Sequence, residues 1–125
     1  MIRITVAQAL LLHRYLVEVS GGMDGVRDYP GLDSAINTPF QTFAREDLYP
    51  GKKRKAAALC FGLIQNHPFV DGNKRIGVHI LDVFLQINGI KLSYVDEDLV
   101  RLGLSVADGS WEIPEILTWI TNHEG

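Results

Sequence analysis

The chain of 125 residues carries 12 lysines and arginines against 15 aspartates and glutamates, for a net charge of −3 and a pI near 5.7. With 46% apolar and 22% charged residues, the composition excludes a disordered or fibrous chain, and the missing basic field argues against direct nucleic-acid binding or an anionic membrane surface. The length fits a single domain, residues 1–125, so any anion site has to be local.

The first stretch, MIRITVAQALLL, is too short to span a bilayer and lacks a small-residue cleavage site, so neither a signal peptide nor a transmembrane helix is expected. Residues 5–20 predict a helix, with apolar residues at 6, 9, 10, 16 and 17 on one face and Thr5 with Gln8 as a capping box. Gly21 and Gly22 stop it. Residues 21–50 are rich in Gly, Asp and Pro, with a short helical piece at LDSAIN and a break at Pro39. Long irregular connections in compact domains often carry function.

KKRKAAALCFGLIQN, residues 52–66, predicts a helix that becomes apolar nearly all round and is therefore buried. Its KKRK start reads as a solvated end. The single cysteine, Cys60, lies in the apolar run; it has no disulfide partner and packs as a small hydrophobe, which favours a reducing cytoplasm. Residues 74–88 predict a third, central helix whose polar positions, Arg75, His79, Asp82 and Gln86, fall on one narrow stripe. Asn88-Gly89 ends it. Residues 90–94 alternate and could pair with Ile2-Arg3-Ile4 as a minor two-stranded element. Two more helices follow, about 96–107 with Asp96 as N-cap and about 111–122 with Ser110 as N-cap and Pro114 in the first turn. The fold class is all-α, a compact bundle around the helix at about 74–88.

Between the two buried helices lies HPFVDGNKRIG, residues 67–77. A helix N-terminus offers unpaired N–H groups and partial positive charge, an anion site. There Gly72 allows close approach of a ligand, Asn73 can donate an amide, and Lys74 and Arg75 add two cations that are locally unfavourable without a bound anion. His67 can act as a general base near neutral pH, and Asp71 can hold magnesium bridging phosphate oxygens. Base, metal ligand and phosphate cradle together suit phosphoryl or nucleotidyl transfer. The alternative is a capped helix junction, with Phe69 in the core and Lys74 and Arg75 merely exposed. There is no Walker loop, GxGxxG, HExxH or cysteine pair, which argues against a zinc enzyme. His13 reads as a satisfied core histidine, and His79 as part of the polar stripe.

At this loop the sequence resembles the Fic/Doc superfamily, and within it the Doc (death-on-curing) toxin branch. His67, Phe69, Asp71, Gly72, Asn73, Lys74 and Arg75 match the pattern H-x-F-x-D/E-G/A-N-K/G-R position by position. "GVRDYPGLDSAINTPFQTF", "EDLYP" and "NHPFVDGNKRIGVHILDVFLQING" are similar to Doc-type segments in order and spacing. The resemblance implies that His67 deprotonates a target hydroxyl, Asp71 is the magnesium-associated acid, and Asn73 and Arg75 are phosphate ligands. Gly72 and Lys74 would complete the nucleotide-binding loop, with Lys74 counted beside His67 and Asp71 in the catalytic set. Residues 25–45 would be the flap that docks a target backbone beside the active site.

Two departures from AMP-transferring Fic enzymes bear on the chemistry. Lys74 stands where those have glycine, and Val78 where they have a second arginine. The lysine fills and charges the anion hole, and losing the arginine removes a clamp on the far phosphates. In the Doc branch the resemblance implies that ATP binds turned around and gives its γ-phosphate to elongation factor Tu, halting translation. Gly72 is shared with AMP-transferring members, so AMP or nucleotidyl transfer is the alternative; a catalytically inactive antitoxin-binding protein is a third. The self-inhibitory Ser/Thr-x-x-x-Glu-Gly/Asn signature has only an incidental approach at Thr42–Asp47. The implied cofactors are ATP and magnesium. The implied partners are a separate antitoxin and an elongation factor Tu-like target, with no membrane.

Overall fold

Helices α3 (Lys52–Asn66) and α4 (Asn73–Ile87) form an antiparallel pair at the centre of a computed structural model that describes residues 1–125. Their contact is close because small residues line it. Ala56, Ala57 and Cys60 are fully buried on α3, and a side chain at Gly77 of α4 would meet Ile64 Cγ1 at 2.7 Å and the Cys60 carbonyl at 3.3 Å. Burial pushes the Cys60 thiol up to about 12, so it stays protonated and inert. Gly77→Ala gains about 1 kcal/mol of helix propensity against about 1–3 kcal/mol of overpacking. The contact with a backbone carbonyl, which cannot rotate away, decides the sign. A net loss of about 1 kcal/mol is expected, read as a lower urea midpoint.

The other helices pack around this pair. Helix α1 (Val6–Ser20) begins with the expected Thr5–Gln8 capping box and lies on α4, burying Ala9 and His13. Helix α2 (Tyr29–Asn37) starts at the N-cap Asp28, earlier than LDSAIN suggested, and runs into a 3-10 turn, Thr38–Phe40, that contains Pro39. Helices α5 (Asp96–Ala107) and α6 (Ile113–Asn122) complete the bundle, both touching α3. Phe69, Phe84, Leu63 and Leu81 are among the fully buried side chains, each contributing about 1.5–3 kcal/mol by leaving water. No helix is long and apolar enough to cross a membrane.

Several local expectations are corrected. Residues 90–94 do not pair with residues 2–4. Leu92 bridges Glu124 instead, and the Ile2 N–H and C=O are taken by the Asn88 side chain, whose amide imitates a strand edge. The two-stranded element is a hairpin, β1 (Thr42–Phe43) with β2 (Glu46–Asp47). Its turn residues Ala44 and Arg45 both adopt positive φ, as a two-residue primed turn requires. The N-cap of α5 is Val95, whose N–H is taken by Asp98, and that of α6 is Glu112, served by Glu115; Ser110 bonds Asp108 instead. The KKRK start is only in part a solvated end, with Lys52 and Arg54 exposed and Lys55 buried. Lys52 donates to the Asn88 carbonyl, Lys53 pairs with Glu124, and Lys55 is buried against Asp47 and the Tyr49 carbonyl.

Candidate active site

The polar loop joins the end of α3 to the start of α4, so two helix termini meet within six residues. His67 closes α3 in the left-handed conformation, with φ 47° and ψ 52°. Its ring is solvent-exposed and makes no hydrogen bond, whereas its carbonyl accepts from Arg27 Nε at 2.9 Å and Nη2 at 2.6 Å.

Phe69 anchors the loop from below. It is fully buried, and the His13 ring stacks on it at 3.8 Å and 7°. His13 Nε2 lies 2.7 Å from the Asp71 carbonyl. A carbonyl only accepts, so Nε2 carries the hydrogen, which leaves Nδ1 facing the Asp24 carboxylate at 3.5 Å. His13 is thus the core residue expected from sequence and a brace under the loop, but it is not fully satisfied, because buried Nδ1 has no hydrogen-bond partner.

Asp71 sits half-buried at the rim. The Met23 N–H, the Gly72 N–H and the nearby Arg75 guanidinium hold its carboxyl below the usual carboxylate range. Because the folded value is depressed, Asp71 contributes stability above its unfolded pKa of about 4, and that contribution is lost as pH falls through the folded value. Asp71→Asn is thus expected to lose less melting temperature than wild type on acidification from neutral pH to about pH 3, measured by thermal scans.

At the start of α4, Gly72 is a left-handed N-cap with φ 76°, and no side chain caps the first N–H groups. Lys74 is exposed with an unbonded side chain, and Arg75 donates to Ser20 Oγ and the Gly21 carbonyl. Asn73 is turned inward. Its Oδ1 accepts from the Phe69 N–H at 2.9 Å, and its Nδ2 donates to the Phe69 carbonyl at 3.0 Å. The amide expected to meet phosphate is committed to shaping the loop, which leaves the Asn73 backbone N–H at the open terminus.

The polar stripe of α4 divides its tasks. Arg75 serves the loop, whereas buried Asp82 accepts from the Tyr94 hydroxyl, and burial lowers the His79 pKa with Asp82 opposing. No three histidines, cysteines or acids cluster as a metal cage. A single ionised carboxylate fits magnesium, which keeps its waters and is held through one or two carboxylates plus substrate phosphates.

The segment expected to act as a flap also divides. Residues 20–28 form the rim: Val70 donates to Gly25, Val26 bridges Phe69, and Arg27 and Asp28 donate to the Pro68 carbonyl. A side chain at Gly22, φ 113°, would come within 2.7 Å of Asp71 Oδ2 and 2.8 Å of Arg75 Nη2, so only glycine fits. The hairpin sits at the other end of the α3–α4 pair, with Asp47 on Lys55 and Phe40 against Phe84. Lys55 and His67 lie twelve positions apart along α3 and its C-cap, about 18 Å of helix. The hairpin therefore does not border the site.

The Fic/DOC family model matches residues 3–85, two thirds of the chain. The chain belongs to the Fic/DOC family. A relative named Toxin Doc, from Mycolicibacterium smegmatis (strain ATCC 700084 / mc(2)155), is 47% identical over 81 residues, or 65% of this chain and 62% of the relative. The family match takes in the whole loop and the rim, while α5 and α6 lie beyond it. Within this Fic/DOC site the residues that sequence reasoning missed are Ser20, Gly22 and Arg27. Only Arg27 had a signal, the quoted similarity of GVRD without a role.

Proposed function

We propose that this chain is the toxin of a toxin–antitoxin module and that it transfers the γ-phosphate of ATP to a hydroxyl of an elongation factor Tu-like translation factor in the cytoplasm. The observation that carries this reading is the exposed, unbonded His67 ring next to an uncapped helix N-terminus flanked by Arg75 and ionised Asp71. His67 accepts the proton of the target hydroxyl as it attacks. The N–H groups at the start of α4, with Arg75 and Lys74, hold the phosphates and take up the developing charge. Magnesium, bound through Asp71, would neutralise phosphate charge. Asn73 works through its backbone N–H and through the loop shape its amide fixes.

Two positions favour phosphate over AMP transfer. Lys74 adds a flexible cation to the open terminus, and Val78 is buried against Gly103 of α5, so no second guanidinium reaches the far phosphates. Gly72, shared with AMP-transferring members, supports the second reading, AMP transfer. The similarity to a protein named Toxin Doc supports a separate antitoxin as partner. Thr42 and Glu46, the nearest approach to a self-inhibitory signature, lie in the hairpin rather than on a helix, which supports inhibition from outside the chain. Induced expression in a bacterium tests the biological half of the proposal. Growth arrest with halted protein synthesis, relieved by the product of a neighbouring short gene, is the expected result; unimpaired growth at confirmed expression contradicts it.

A further inference from the structure

We propose that Arg27 is a positioning residue for His67, holding the last two carbonyls at the C-terminal end of α3. The inference rests on the reading of His67 as the base. A helix that ends on a left-handed residue normally satisfies its last carbonyls with the N–H groups of the residues that follow. His67 is left-handed without being glycine, and the next residue is proline, which has no N–H. One backbone tie from the turn back into the last turn of α3 is therefore missing where the chain reverses.

The Arg27 guanidinium holds the turn at a different place, on the two carbonyls that follow the last helical hydrogen bond. Nη2 donates to the Asn66 carbonyl at 3.1 Å and to the His67 carbonyl at 2.6 Å, and Nε donates to the His67 carbonyl at 2.9 Å. A cation at a helix C-terminus also complements the helix dipole. Arg27 itself is fixed, because its N–H donates to the Pro68 carbonyl and the adjacent Val26 bridges Phe69. Asp28, the next residue, is the N-cap of α2. The GVRD stretch therefore ties the start of α2 to the end of α3 through one planar fork. All of its bonds go to backbone, so it sets the His67 main chain while leaving the ring free. Lysine carries its three donors on one nitrogen rather than on a planar fork and cannot span both carbonyls in the same way.

The test uses the full chain with Arg27→Met, Arg27→Lys and Arg27→Ala. Three quantities are compared: kcat for phosphate transfer, affinity for ATP with magnesium by calorimetry, and the Cα and Cβ chemical shifts of His67, which report its backbone conformation. Arg27→Met is expected to lower kcat on the order of 100-fold, the penalty of misplacing a reacting group by about 1 Å. ATP affinity stays at the wild-type value, and the His67 shifts leave the left-handed range. Arg27→Lys falls between, and added guanidinium ion restores part of the kcat of Arg27→Ala. Wild-type kcat and unmoved His67 shifts in Arg27→Met overturn the proposal, as does a kcat loss matched by lost ATP affinity with unmoved shifts. Should Arg27→Met fail to fold, the shifts of Arg27→Lys decide. Should the wild type transfer no phosphate, the enzymatic reading falls, while the His67 shifts still decide whether Arg27 sets the loop.

Discussion

His67→Ala is expected to lower phosphate transfer by about 100- to 10,000-fold, the range for removing a general base, and to abolish growth arrest on expression. Stability should hardly change, because the His67 ring is exposed and bonds nothing. ATP binding should survive too, since the helix terminus, Arg75 and Asp71 are untouched. A variant that folds, binds ATP and transfers nothing separates chemistry from scaffold. Equal growth arrest from wild type and variant at matched expression would remove His67 from the mechanism.

The second large effect is on stability. Asn73→Ala removes an amide that satisfies both the N–H and the C=O of buried Phe69. Each buried group left unpaired costs about 1–3 kcal/mol, so a loss of about 2–6 kcal/mol is expected, measured by urea unfolding. That is a large share of the total for a domain of this size, typically about 5–15 kcal/mol. If Asn73 were chiefly a phosphate ligand, the variant would instead unfold like wild type and bind ATP weakly. The two outcomes are told apart by the urea midpoint in the absence of nucleotide.

The helices were legible because each writes a local pattern. Thr5 with Gln8, the alanine-rich run before Asn66 and the apolar surface of α4 all specify structure within a few turns. The composition of the 67–75 loop was legible for the same reason, since a helix junction loaded with Gly, Asn, Lys and Arg advertises an anion site. Partners across the chain were not. Arg27 lies 40 residues from the carbonyl it caps, and His13 lies 58 from the carbonyl it braces. No periodicity encodes such pairs. Lys55 shows the same limit from the other side: beside three other cations it reads as solvated, and only the fold of the hairpin brings Asp47 onto it. The alternation of residues 90–94 signals extended backbone without naming a partner, and the side chain of Asn88 took the place intended for a strand.

The hairpin matters for how a target would be read. With β1 and β2 at the far end of α3, the backbone bordering His67 is the glycine-bearing rim of residues 20–28. Its Ser20, Gly21 and Met23 groups already hold Arg75 and Asp71. The rim and the loop thus form one hydrogen-bonded unit around His67, which is the preorganisation that group transfer needs.

The most direct measurement follows label from ATP onto purified elongation factor Tu in the presence of magnesium, with the wild-type chain and His67→Ala side by side. Label from the γ-phosphate arriving on the factor with wild type, and not with the variant, is the predicted result. Label arriving from the α-phosphate, or γ-label transferred equally by both proteins, would contradict it.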